Sequence, residues 1–141
     1  MASCLVGSEM CIRDRFIHNR KLNRFQTFVH VIDRNLKREG MYGCIHSIDQ
    51  LSRPRFFEIE MCNQQDDNSY VTTLLHELVH FEQRLRGKWK QQWKKDKVQN
   101  IWHSRIVPDT TKYDDEPWEM EAHALERYYY TKYKECNEPL S

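Results

Sequence analysis

A chain of 141 residues, with 30% charged and 39% hydrophobic residues and a mean hydropathy of −0.88, has room for one modest core. Lys and Arg number 22 against 21 Asp and Glu, so a net charge of +1 singles out no nucleic-acid or membrane partner, and no run approaches the ~18 apolar residues of a membrane-spanning helix. Four Gly and four Pro exclude a fibrous or low-complexity chain.

Residues 1–15 lack the basic start and apolar run of a secretory signal, and they show neither helical nor strand periodicity. Within residues 4–15 the stretch Leu5–Asp14 resembles a translated transposon-end adapter of sequencing libraries. The segment is therefore expected to be artefactual or disordered, with Met1 not the natural start. Without Cys4 and Cys11, three thiols remain at Cys44, Cys62 and Cys136, with no CxxC spacing. That excludes a zinc ribbon or disulfide framework and suits buried or half-buried thiols in a reducing, cytoplasmic setting, the host cytoplasm if the source is viral.

Leu22, Phe25, Val29, Ile32 and Leu36 recur at intervals of three and four, which predicts a helix over Asn19–Glu39 closed by Gly40. Two strands follow, Tyr42–Ile48 and Arg55–Met61; in the second, Phe57, Ile59 and Met61 alternate with Phe56, Glu58 and Glu60. Asp66, Asp67, Asn68 and Ser69 offer N-caps to a helix through Val71–Leu85, which Gly87 ends. Residues 88–100 are rich in Lys, Gln and Trp, and a short strand or turn is expected to follow around Ile101–Val107. After a loop from Pro108 to Asp115, a last helix carries Glu116 and Pro117 in its first turn and runs toward Lys134. These elements predict one α+β domain over residues 16–136, a small sheet packed against two helices, with residues 137–141 as a tail. Ser141 suits either a true end or the edge of a fragment.

The chemistry sits in His76-Glu77-Leu78-Val79-His80. On a helix, residues four apart share a face, so His76 and His80 can direct ring nitrogens at one ion. Glu77 projects beside them, in reach of a water, as a general base requires. A chance match to this pattern, given the histidine and glutamate content of the chain, has a probability of about 3%. A catalytic zinc takes three protein ligands and keeps a fourth position open. A third histidine in the H-E-x-x-H-x-x-G-x-x-H extension is excluded, because Gln83 and Arg86 hold the decisive positions. The best donor is Glu119 in Pro117-Trp118-Glu119-Met120-Glu121-Ala122-His123. It shares a helix face with Ala122, His123 and Glu126, and Ala122 is small enough to let the two helices approach. Glu121 is an alternative ligand, about 200° around the helix from Glu119, and His123 or His103 could supply a third imidazole. His123 also suits a hydrogen bond to a ligand.

Thr73 to His80, Gln83, Gly87, Trp102, Tyr113 and Pro117 to Ala122 together resemble the small motif-assigned zinc metallopeptidases of bacteriophages and environmental viruses. More broadly they are similar to gluzincins, zincins whose third ligand is a Glu on a later helix. The resemblance spans roughly residues 45–126. It implies a minimal zincin-like fold, one Zn²⁺ per chain held by His76, His80 and Glu119, and hydrolysis of a peptide or protein substrate with Glu77 as general base. The gluzincin E-x-x-A pattern maps onto Glu119 and Ala122; the position one turn later, commonly Asp, holds His123. Tyr113, His103 and Tyr128 are the candidates for stabilising an oxyanion, with plain aromatic packing the simpler role for Tyr128–Tyr130. Finally, Arg84–Lys97 carries seven basic residues interleaved with Trp89 and Trp93. That pattern suits an acidic partner or single-stranded nucleic acid, and equally a solvated basic face anchored by its tryptophans. A DNA-associated protease or a metal-stabilised interaction module is the alternative function; oligomeric state stays open.

Overall fold

A computed structural model describes residues 6–49 and 53–133 of the chain. Its elements are α1 (Val6–Asn19), β1 (Phe28–Arg34), β2 (Gly43–Ser47), β3 (Phe56–Cys62), α2 (Asp67–Leu85), β4 (Trp89–Lys94), β5 (Lys97–Trp102), β6 (Arg105–Val107) and α3 (Pro117–Tyr133), an α+β arrangement. Short 3₁₀ turns lie at Leu22–Arg24, Lys37–Glu39 and Tyr113–Asp115. The expected helix end at Lys134, Cys136 and the 137–141 tail lie outside the described residues. No helix among the described residues is long and apolar enough to cross a membrane.

The first sheet has the order β1-β3-β2: β1 runs parallel to β3, and β2 runs antiparallel to it at the edge. Alternation in β3 puts Phe57, Ile59 and Met61 on one face, all fully buried, and Phe56, Glu58 and Glu60 on the other. α2 lies on the buried face, where Phe81 meets Phe57 edge-on at 5.1 Å between ring centroids. It begins where the Asp66 side chain accepts a hydrogen bond from the Ser69 backbone N–H at 2.8 Å, and it stops before Gly87, whose φ of +76° suits a residue without Cβ. Burial of nearly every residue from Tyr70 to Leu85 places α2 at the centre of the molecule, with α3 closing on it at Ala122, which is fully buried.

Gly43 is a point of close approach between β2 and α2. A Cβ there would stand 2.8 Å from Thr73 Cγ2 and 3.2 Å from the Glu60 carbonyl oxygen. Gly43→Ala is therefore expected to cost about 1–3 kcal/mol, readable as a lower denaturation midpoint, because Thr73 would have to leave its rotamer and the Glu60 carbonyl belongs to the backbone of β3.

Two expectations are corrected, and one stretch without an assigned element gains one. Residues 1–15 were expected to lack regular structure, yet Val6–Asn19 is helical, and Ile12 and Phe16, four apart, are buried. Phe16 packs edge-on against Tyr129 at 5.2 Å. The 19–39 helix does not form: Lys21 takes a left-handed φ of 58°, Leu22 and Leu36 are buried at separate 3₁₀ turns, and Phe28–Arg34 is a strand. β-branched Val29, Val31 and Ile32 suit that strand, and its parallel pairing with β3, Val29 opposite Phe57, outweighs the helical spacing. Residues 88–100 form two antiparallel strands, continued by β6. Cys44 is half-buried and Cys62 buried, both as free thiols, as expected.

Candidate functional site

His76 and His80, one turn apart on α2, turn their rings toward Glu119, the third residue of α3. His76 Nε2 lies 2.9 Å from Glu119 Oε1, His80 Nε2 lies 3.1 Å from the same oxygen, and the two Nε2 atoms are 3.1 Å apart. All three residues are buried. The sequence reading thus has its two histidines and its first-choice carboxylate at one point.

The other ring nitrogens are bound in a way that decides what the inner ones present. His80 Nδ1 lies 2.8 Å from Gln83 Oε1, while Gln83 Nε2 donates to the Trp118 carbonyl at 3.0 Å and to Glu121 Oε1 at 3.1 Å. Two acceptors hold the amide NH₂, so Oε1 must face His80, and His80 Nδ1 is the donor. His76 Nδ1 likewise donates to Glu126 Oε2 at 2.7 Å. In the neutral imidazoles both inner Nε2 atoms are then lone pairs, and with Glu119 Oε1 they form a triangle of three acceptors that only a cation can hold together. Tetrahedral zinc with N and O ligands has ligand atoms about 3.3 Å apart, so the observed triangle is a few tenths of an ångström tighter and the donor set fits that ion.

Without a metal, a proton takes this role. Burial alone would lower the His76 pKa, but the hydrogen bond to Glu119, the charge of Glu77 and the hydrogen bond to Glu126 outweigh it and raise the pKa to about 9. Burial pushes the Glu119 carboxyl the other way, and its hydrogen bonds from His76 and His80 prevail, holding it well below the usual carboxylate range. A histidine with a raised folded-state pKa stabilises the metal-free protein fully below its ordinary value of 6.5, and that stabilisation fades as pH rises through about 9. Zinc must displace the same proton. Its apparent affinity is therefore expected to climb about tenfold per unit between pH 7 and 9, measurable by competition with a chelator.

Glu77 is 6% exposed and lines the same cleft, with no side-chain hydrogen bond among the described residues. Burial raises its pKa, partly opposed by His80 and His76. The cleft encloses about 590 Å³ between α2, α3 and the outer edge of β2, and Gly43, Cys44 and Ile45 form one wall. At its rim the Tyr113 hydroxyl donates to Glu119 Oε1 at 3.0 Å; burial and the Glu119 charge raise the Tyr113 pKa, so the phenol stays protonated. His123 also lines the cleft, and a ring nitrogen comes within 4.8 Å of ligand atoms of His76 and Glu119. Its own hydrogen bonds, however, go to Tyr113 at 3.4 Å and Glu126 at 3.5 Å. The hydrogen bond to a ligand expected of His123 is made instead by Glu126, to His76.

The remaining candidates lie elsewhere. Glu121 points away from the histidines and accepts from Gln83 and, at 3.5 Å, from Lys88. His103 sits in the exposed turn after β5, edge-on to the Trp102 ring, and Tyr128 is 61% exposed against Tyr129. Neither lines the cleft. Sequence reasoning missed Gln83 and Glu126; the signals were a Gln three residues after His80 and a second Glu on the Glu119 face. Gln83→Leu is expected to weaken zinc binding 10–100-fold, with Gln83→Glu partly restoring it, in the same chelator competition.

The basic segment is only partly a surface. Arg84 is buried, Arg86 pairs with Glu82 at 2.7 Å, and Lys88 reaches Glu121. Trp89 is the anchor expected of it, stacked on Trp118 at 4.8 Å and 4° between planes; Trp93 is 66% exposed. A second group of metal-type donors, Cys44, His46 and Glu60, is engaged by neighbours: Arg34 pairs with Glu60 at 2.8 Å, and Glu58 lies 3.4 Å from His46. Compared with known proteins, the chain matches no family model, no curated protein and no solved structure.

Proposed function

We propose that this protein is a zinc-dependent peptidase of the zincin type, with His76, His80 and Glu119 as metal ligands and Glu77 as general base. The observation that carries this reading is the buried triangle of three acceptor atoms, none more than 3.1 Å from the others, beside the buried carboxyl of Glu77 at the floor of an open cleft. A site with a purely structural role has no use for that extra carboxyl.

Bound zinc would supply a Lewis acid that polarises the scissile carbonyl and lowers the pKa of water. Glu77 takes the proton of the attacking water and returns it to the leaving amine, a task suited to a carboxylate whose pKa burial has raised. Tyr113, a protonated donor at the rim, is placed to hydrogen-bond the oxyanion. Gln83 and Glu126 hold the imidazoles in the tautomer that leaves Nε2 free. β2 pairs only with β3 among the described residues, and its other edge forms a cleft wall, so an extended peptide can add there as a further strand. The free thiols of Cys44 and Cys62 favour a reducing compartment such as the cytoplasm.

The test is hydrolysis of a mixed peptide library by zinc-loaded protein, with chelation and zinc restoration as the switch. Cleavage that survives complete chelation would remove the metal from the reading. The alternative, nucleic-acid binding, draws on exposed Trp93 beside Lys94, Lys95 and Lys97. Salt-sensitive retention of single-stranded DNA without hydrolysis would favour it.

A further inference from the structure

A second cavity, of about 220 Å³, adjoins the cleft and shares Ile45 and Trp89 with it. Its charged wall is Arg84, one turn beyond His80 on α2. Arg84 is 5% exposed, with its guanidinium over the Trp89 ring at 5.4 Å. Nη1 donates to Gln91 Oε1 at 2.9 Å, but Nε has no partner, and no carboxylate lies within ion-pair distance among the described residues. Asp49 acts on it only as a longer-range field; its Oδ2 accepts from the Arg55 backbone N–H, and its Oδ1 is buried without a partner among the described residues. Burial pushes the Arg84 pKa down to about 10, so the group still carries its charge at neutral pH.

A buried guanidinium with no carboxylate in direct contact is costly, and hydrogen bonding to one neutral amide oxygen offsets little of that cost. Such a group is poised to be paired by a ligand. The cavity also lies in line with the edge strand. Gly43, Cys44 and Ile45 line the cleft, while Ile45, His46 and Ser47 line the second cavity. Two residues of strand cover roughly 7 Å. A peptide laid along β2 through the His76–His80–Glu119 site would therefore bring a residue into the second cavity two or three positions from the scissile bond.

Resting on the peptidase reading above, we propose that this cavity is a substrate subsite for a carboxylate, which Arg84 receives through its unpaired face, and that the protein selects acidic peptides. A planar guanidinium accepts a carboxylate by paired, charge-assisted hydrogen bonds, and the flanking Trp89 excludes water from them.

The experiment uses zinc-loaded full-length protein and one cleaved peptide sequence, with Glu or Gln placed in turn at each of the four positions on either side of the scissile bond. An acid and amide pair at the peptide C-terminus distinguishes a side-chain carboxylate from a terminal one. Glu is expected to exceed Gln at least tenfold in kcat/KM at one position, or the terminal acid to exceed the amide. Gln91→Glu places an internal carboxylate on Arg84 and should bring that ratio close to one. A readout without catalysis accompanies it: tryptophan fluorescence of metal-free protein titrated with N-acetylglutamic acid amide, which should saturate where N-acetylglutamine amide does not. Equal cleavage of Glu and Gln peptides with no selective fluorescence change overturns the subsite and leaves the peptidase standing. Selective fluorescence with no peptide cleaved keeps the carboxylate site and overturns the peptidase.

Discussion

Replacing Glu77 with glutamine is expected to lower peptide hydrolysis by about 10²–10⁴-fold while leaving bound zinc unchanged. The amide keeps the shape of the side chain, so packing in the floor of the cleft is preserved, but it can neither accept a proton from water nor deliver one. The same substitution should leave the protein as stable or more so. Glu77 is buried with a raised pKa, so the folded state binds its proton more tightly than the unfolded state. Stability from this group accordingly falls as pH rises through its folded-state pKa, and a neutral amide avoids that loss. A Glu77→Gln protein that melts at an equal or higher temperature at pH 7.5, holds zinc and fails to cleave would place the carboxylate in the chemistry and outside the scaffold. Full activity in this variant would remove Glu77 as the base.

The second large effect separates the two glutamates of α3. Glu119→Ala removes the oxygen that faces both imidazoles at 2.9 and 3.1 Å, and zinc affinity is expected to fall by more than about 100-fold. Glu121→Ala removes only a partner of Gln83 and Lys88, so a loss of no more than about tenfold is expected, transmitted through the Gln83 amide to His80. Chelator competition on both variants reads the ratio. A larger loss in Glu121→Ala would exchange their roles.

The parts of this site legible in the sequence are those set by local geometry. His76 and His80 fall together because a helix brings residues four apart to one face, and Asp66 and Gly87 mark the ends of that helix by capping chemistry that depends only on neighbours. The small side chain of Ala122 announced the close approach of α3. What was hidden depends on contacts distant in the chain. Leu22, Phe25, Val29, Ile32 and Leu36 have helical spacing, but the strand within them exists because β3 lies beside it, twenty-eight residues on, with Val29 opposite Phe57. The β4–β5 and β5–β6 hairpins turn at Lys95–Asp96 and His103–Ser104, all with positive φ between 48° and 68°. Hairpins of this kind are usually announced by Asn-Gly or Asp-Gly, and neither pair stands here. Glu126 was hidden for a different reason: its place on the Glu119 face was visible, but which imidazole nitrogen it would meet depends on how α3 crosses α2.

The most direct measurement is elemental analysis of purified full-length protein beside His80→Ala and Glu119→Ala, with folding of each checked by circular dichroism. One zinc per chain in the parent protein, absent from both variants after dialysis, is the predicted result. Folded parent protein that takes up no zinc when offered it, or variants that hold zinc as tightly as the parent, would contradict a metal centre built from His76, His80 and Glu119.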